Sequence, residues 1–455
     1  MGSRILVVTP DVLAPRMAGP AIRAVNIAAQ LVADGQGHRV TLVSTAKCEL
    51  TDDRFDCRYV DWPGLGAVTD EHDVLIVQGF ATFHCRKLLR RDKVVVVDLY
   101  DPLHFEQLEQ LRDAGPAQRQ ATIDLTTRVL NEQCARGDFF VCASETQRSL
   151  WLGTLAAMGR VNPASYDADV TLRTLIDVAP FGLPDAPPAQ AQHAIRGVVP
   201  GIGMDDQVVI WAGGVYDWFD PLTLVRAVGR LAPTHPRLRL FFMGMAHPNP
   251  DVGVMSMADR VRAVSAELGL TGSHVFFNEG WVDYARRADY LLDADLGVST
   301  HFDHLETAFA FRTRMLDYLW CGLPVVATGG DEFARLITDE GLGLVVPEGD
   351  VDALAAALAR LCDDPELAAA CRAGIATVRE RYAWSAALAP LVRFCRDPRP
   401  APDTVLDQRR MIRRPVPGNR VVRDTARARE LLAEGGVGLV AEKARGRIER
   451  LSRRD

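Results

Sequence analysis

Apolar residues along this chain fall in short β-branched runs, separated by longer stretches in which they recur with helical spacing. In the first half the runs are Arg4–Thr9, Arg39–Ser44, Val74–Gln78, Lys93–Leu99, Phe139–Ala143 and Thr174–Phe181. Val94-Val95-Val96-Val97 does not alternate apolar with polar, which suits a strand covered on both faces in a parallel sheet. Helical spacing occupies Ala21–Ala33 and the long stretch Leu103–Arg136. The pattern then restarts. Val208–Ala212, Leu238–Met243, Val275–Phe277, Leu296–Ser299, Pro324–Ala327 and Leu344–Val346 read as strands. Pro221–Leu231, Val254–Leu268, Tyr284–Leu292, Thr307–Trp320 and Val351–Leu361 read as helices. The join, LPDAPPAQAQHAIRGVVPGIG, is rich in Pro, Gly, Ala and Gln and reads as a linker.

The expected class is therefore α/β, with two doubly wound, Rossmann-like domains facing across a cleft. Ligands of such sheets bind outside the carboxyl ends of the strands. The expected divisions are a domain at 1–185, a linker at 186–203, a domain at 204–395 and a basic C-terminal segment at 396–455.

Composition narrows the class. The chain has 455 residues, 48% apolar and 24% charged, and can bury a large core without disulfides or metal. The net charge is −7, but Arg396–Asp455 holds 16 Lys and Arg against nine Asp and Glu. An acidic body with a basic tail is not a basic nucleic-acid binder, so nucleic acid is not an expected partner. The tail has a Pro-rich start and a helix candidate at Val421–Arg454. It reads either as a solvated segment or as a contact for an anionic membrane surface. Nine scattered cysteines with no C-x-x-C pair point to free thiols in a reducing compartment. No apolar run approaches the roughly 18 residues of a spanning helix. The run Ile5–Val8 is too short for a signal-peptide core. The expected location is the cytoplasm, with peripheral contact at the inner membrane face through 396–455.

Neither a P-loop nor a G-x-G-x-x-G turn follows the first strand, which removes the main support for simple nucleotide hydrolases and dinucleotide dehydrogenases. Two glycine turns remain: Ala18-Gly19-Pro20 before the first helix, and Gly213-Gly214 after the first strand of the second half. Each either brings backbone N–H groups close to an anion or only packs helix on strand. The densest polar cluster runs from His301 to Asp317. A helix from Thr307 puts Arg314 and Asp317 three apart on one face. They read as an intrahelical ion pair or as a nucleoside-diphosphate site, with Arg on phosphate and Asp on the ribose diol. His301, Asp303, His304 and Glu306 include metal-ligating types, but their spacing fits no metal motif, so no metal is expected.

At this point three stretches resemble family 4 (group 1) glycosyltransferases, which have the two-domain GT-B fold. They are WAGGVYDWFDPLTLVRAV, HLETAFAFRTRMLDYLWCGLPVVATGGDEFARLI and GLGLVVPEGDVDALAAALARLCDDPELAAA. Asp317, Gly322, Pro324 and Val325 fill the family's donor motif, and Ala18–Ala24 resembles its glycine loop. The chain departs from the pattern in three places. The glutamate that family members commonly carry eight residues before Asp317 is Phe309. The basic pair that often follows the first strand of the second domain is absent from Val215–Asp220. Where many members have a histidine at the end of a central N-domain strand, this chain reads Asp98-Leu99-Tyr100-Asp101.

Arg312 and Arg314 are then the candidates to replace the missing charge, with His304 or Glu306 facing the sugar. Asp101 is the candidate beside the reacting carbon, unless it only caps the helix that follows. The resemblance implies transfer of a sugar from a nucleoside-diphosphate sugar to an acceptor hydroxyl. It further implies retention of configuration and no metal or cofactor beyond the co-substrate. The acceptor would be a sugar, a lipid-linked species or a small molecule, in polysaccharide, glycolipid or natural-product biosynthesis. A GT-B-fold sugar-nucleotide epimerase and a non-catalytic sugar-nucleotide-binding scaffold are the alternatives.

Overall fold

The uninterrupted apolar runs become the inner strands of two parallel sheets. The structure, a computed structural model, describes residues 2–245 and 256–405. The first sheet holds β1 (Arg4–Thr9), β2 (Arg39–Ser44), β3 (Asp56–Tyr59), β4 (Val74–Gln78), β5 (Val94–Asp98), β6 (Phe139–Cys142) and β7 (Ile176–Val178) in the order 3-2-1-4-5-6-7. The second holds β8 (Gln207–Trp211), β9 (Leu238–Phe242), β10 (Val275–Phe277), β11 (Leu296–Ser299), β12 (Val325–Thr328) and β13 (Gly343–Val346) in the order 10-9-8-11-12-13. Every pairing is parallel. Each sheet reverses its winding beside its first strand, and that is where doubly wound sheets place ligands.

All five residues of β4 are buried, as are the last five of β1, because helices cover both faces. β3, with the sequence DCRY, is the strand that the apolar pattern does not reveal. It is a mostly exposed edge strand pairing only with β2.

Two expected helices are each divided. Leu103–Arg136 becomes Leu103–Gln110 and Pro116–Arg136, because Pro116 cannot continue the preceding turn and instead starts the next helix. Thr307–Trp320 becomes Leu305–Phe309 and Thr313–Cys321, with extended backbone at Ala310. Of the expected helix Val254–Leu268, Ser256–Glu267 is described.

The segment between the sheets is anchored. The buried Asp293 carboxylate accepts from Ala194 N–H and Ile195 N–H at 2.7 Å each and from Gln190 at 2.7 Å. These bonds and His193 hold its pKa below the usual carboxylate value despite burial. After the second sheet the chain returns to the first lobe, where Phe394 stacks on Phe139 at 4.4 Å. Asp403 forms a two-pronged pair with Arg160 (2.7 and 3.0 Å), both buried. Residues 396–404, read from sequence as the start of a tail, are thus folded onto the first lobe. The expected helix Val421–Arg454 lies outside the described residues. Among the described residues no helix is long and apolar enough to cross a membrane.

Candidate active site in the interlobe cleft

The loops after β1, β5 and β8 and the start of helix Thr313–Cys321 enclose a cavity of about 350 Å³. Gly19 and Asp101 line it from the first lobe. Gly213, Gly214, Glu306, Arg312, Arg314 and Asp317 line it from the second. His304 is not on the wall. Its Nδ1 accepts from Thr307 N–H at 3.3 Å, capping helix Leu305–Phe309, and lies 3.6 Å from the Glu306 carboxylate.

The second-lobe wall is held by one tyrosine. The Tyr318 ring lies over Gly297, where a Cβ would meet it at 2.4 Å. Its hydroxyl accepts from Ala212 N–H (3.0 Å) and reaches the Val298 carbonyl (2.8 Å). Helix Thr313–Cys321 is thereby pinned to the end of β8. The next residue, Gly213, turns with φ +95°, a conformation that favours glycine. Arg314 donates to the Gly214 carbonyl at 2.8 Å, and its guanidinium lies over Trp211 (4.3 Å) and Phe219 (4.2 Å). Burial lowers its pKa to about 10, so it stays charged at neutral pH, and its Nη1 has no hydrogen-bond partner. Arg312 instead donates to both oxygens of Glu306, at 2.9 and 2.7 Å. It caps helix Thr313–Cys321 by position only, with no side-chain bond, so the first N–H groups of that helix are left to other acceptors.

Arg314 and Asp317 share a helix face but do not pair. Asp317 is bound by Arg287 at 2.9 Å, and Arg287 lies over Tyr284 (3.7 Å) and Trp320 (4.3 Å). Buried Arg287 Nη2 is also without a partner. With Arg312 Nε, three cavity-lining arginines therefore have a buried nitrogen without a hydrogen-bond partner.

The first-lobe wall is acidic. Arg23 and Asp98, both fully buried, form a two-pronged pair at 2.7 and 2.9 Å at the end of β5. Gln78 adds a third bond to Asp98 at 3.0 Å. Three residues on, Asp101 faces the cavity. It does not cap the following helix, whose N-terminal position is Pro102 with no side-chain bond. Burial, then the charge of Asp98, raises Asp101 to about 7. Glu106, one helical turn further, is pushed well up by burial and by Asp101 and Glu306.

Sequence reasoning missed Arg287, Glu106 and the stacked pair Tyr216 and Trp218, whose ring centroids lie 4.9 Å apart on the wall. Arg287 lies 30 positions before its partner, and no local spacing signals such a pair. Glu106 becomes visible only once the helix after Pro102 is seen to start there. Closure of the two domains over the site was expected, but the contacts that make it escaped the sequence. Gln147 donates to the Tyr100 and Phe309 carbonyls at 2.8 Å each, Phe105 stacks on Phe309 at 5.3 Å, and Trp281 donates to the Met17 carbonyl at 3.2 Å.

Among the described residues no group of three His, Cys, Asp or Glu side chains is arranged to hold a metal ion.

Residues 206–364 match the family model for glycosyl transferases group 1. A D-inositol 3-phosphate glycosyltransferase of Kineococcus radiotolerans is 30% identical over 229 residues, 46% of this chain and 47% of that protein. A phosphatidyl-myo-inositol mannosyltransferase of Mycolicibacterium smegmatis is 30% identical over 148 residues, 32% of this chain and 36% of that protein. The chain thus spans less than half the length of these curated relatives. Sucrose-phosphate synthase from Thermosynechococcus elongatus superposes with a TM-score of 0.60 at 16% identity, covering 87% of this chain and 98% of that one. Anabaena HepE in complex with UDP-glucose gives 0.60 at 14%, covering 86% and 98%. These likenesses establish the fold as the two-sheet GT-B arrangement. Over residues 206–364 the chain is similar to the group 1 glycosyltransferases.

Proposed function

We propose that this protein transfers a sugar from a nucleoside-diphosphate sugar to an acceptor hydroxyl in the interlobe cavity. The observation that carries the reading is the set of three buried, unpartnered guanidinium nitrogens, Arg314 Nη1, Arg287 Nη2 and Arg312 Nε, beside an uncapped helix start. Buried polar donors are normally satisfied, so unsatisfied donors on residues that line the cavity suit an anion of diphosphate size. Asp317, oriented by Arg287, would accept from the ribose diol. Trp281 and Val282 line the same side and offer an apolar seat for the base. Glu306, fixed by Arg312, would accept from a sugar hydroxyl.

Asp101 is the proposed base on the opposite wall. It takes the proton of the acceptor hydroxyl as the oxygen–C1 bond forms on the same face from which the diphosphate departs. The bond from C1 to the diphosphate oxygen breaks, and its electron pair leaves with the diphosphate, where the arginines receive it. Retention of configuration and independence of a metal belong to the same proposal and rest on the resemblance alone. Peripheral membrane contact through 396–455 is likewise a proposal. UDP sugars are the first donors to try, since HepE was solved with UDP-glucose.

The test is a thermal-shift screen of UDP, GDP, ADP, CDP and dTDP sugars, followed by measured release of the nucleoside diphosphate. One family of sugar nucleotides should stabilise the protein and be cleaved, and Asp101→Asn should bind it but cleave it at least 100-fold more slowly. Binding without cleavage under any condition would favour the scaffold alternative. No binding at all would end the donor reading.

A further inference from the structure

The charges of the cavity are divided by lobe. The cations on its wall, Arg287, Arg312 and Arg314, all come from the second lobe. Among the described residues no Lys or Arg of the first lobe lines it. That wall instead carries Asp101, Glu106 and the exposed Gln110 beside apolar and glycine positions. The first-lobe cations near this wall are already engaged. Arg23 is spent on Asp98, and Arg16 lies 3.3 Å from Asp283 on the outside of the cleft.

The carboxylates also outnumber the free cations where the two walls meet. Arg312 is close enough to influence Glu106, but both its terminal nitrogens are committed to Glu306. Glu306 is neutralised by that pair, which leaves Asp101 and Glu106 without a matching positive group. Crowding holds these carboxyls partly protonated in the free protein, so a bound group that brings a positive charge is favoured because it draws them into the charged form, whereas a second phosphate would push them further from it.

From this division, and resting on the transferase reading above, we infer that the acceptor is an amine-bearing polyol. An amino sugar or amino cyclitol would seat its ammonium against Glu106 and Asp101, and a phosphate-bearing acceptor is selected against. The site is more than an acidic cluster. It is the far half of a cavity whose near half presents the open donors of Arg314 and Arg287, each about nine-tenths buried or more. The diphosphate occupies the cationic half, so the acidic half is left to the acceptor.

The experiment holds fixed the sugar nucleotide that stabilises the protein most and compares glucose, glucosamine and glucose 6-phosphate at pH 7. Rates are read as nucleoside diphosphate released above the donor-only background. Glucosamine should exceed glucose in kcat/KM at least tenfold, and glucose 6-phosphate should fall at least tenfold below it. Glu106→Gln should shrink both ratios towards one while the donor-induced thermal shift persists, which also shows that the variant is folded. Gln110→Lys, at an exposed position, should raise the glucose 6-phosphate rate relative to glucose.

Equal rates for the three compounds, no turnover of any of them, or a preference for glucose 6-phosphate would overturn the inference. An amine preference undiminished in Glu106→Gln would do the same. A protein that binds a sugar nucleotide yet shows one of these outcomes defeats the acceptor assignment alone. One that binds no sugar nucleotide defeats the transferase reading and this inference with it.

Discussion

Replacing Arg314 by Met separates the cost of a side chain from its use. In the free protein the guanidinium is held in an unfavourable place. Its pKa falls from the ordinary guanidinium value to about 10 on burial, which corresponds to about 3 kcal/mol against the charged form. Against this stand the bond to the Gly214 carbonyl, worth about 1 kcal/mol net, and two cation–ring contacts of about 1 kcal/mol each. These terms nearly cancel. The Gly214 carbonyl keeps a second donor in Trp211 Nε1 at 3.2 Å, so it is not stranded by the change. Arg314→Met should therefore alter the stability of the unliganded protein by no more than about 1–2 kcal/mol in either direction. Donor binding should respond differently. A charge-assisted bond to a diphosphate oxygen contributes about 1.5–3 kcal/mol, so affinity should drop about 10- to 150-fold. Urea unfolding of the free protein and calorimetric titration with the nucleoside diphosphate read the two quantities separately. Unchanged affinity would refute the reasoning, and so would a loss of more than about 3 kcal/mol from the free protein.

Asp101, raised to about 7, gains its basic form as pH rises, so kcat/KM should climb through an acid limb near pH 7. That limb should vanish from the residual activity of Asp101→Asn, and its persistence would assign it to another group. Asp403→Ala leaves the buried Arg160 unpaired and should cost about 3–5 kcal/mol in denaturant unfolding, whereas a paired Arg160→Met/Asp403→Leu change should recover most of it. A cost below about 1 kcal/mol would mean that the return of the chain to the first lobe is not held by this pair.

Both sheets are written in the chain because their inner strands are covered on two sides and therefore carry continuous apolar runs, such as Val94–Val97. β3 lacks that signature, since one edge and much of its surface meet water. The glycine turns were legible for a comparable reason. Gly213 follows a strand directly, and its positive φ leaves little alternative to glycine. The electrostatics of the site were not legible. Arg314 and Asp317 sit three apart on a helix, which by spacing alone reads as a pair. The fold gives each a different neighbour, the Gly214 carbonyl and Arg287, from strands and loops far away in sequence. The acidity of Asp101 depends in the same way on burial and on a buried pair formed with Arg23, which lies 75 positions before Asp98.

The break at Ala310–Arg312 shows how a departure from the family pattern can be absorbed. In one continuous helix Glu306 and Arg312, six residues apart, would sit about 9 Å apart along the axis and on different faces, too far to bond. The observed 2.9 and 2.7 Å bonds require the chain to leave the helix between them. That excursion sends Phe309, at the position where the resemblance leads one to expect a glutamate, against Phe105 of the other lobe. It also brings Glu306 onto the cavity wall. A carboxylate has about four acceptor sites, and Arg312 uses only one on each oxygen. Glu306 can therefore be fixed by Arg312 and still receive a hydroxyl. On the proposed reading Glu306 would face the sugar from three residues before the position where the resemblance leads one to expect a glutamate, and Phe309 at that position closes the cleft through an aromatic contact.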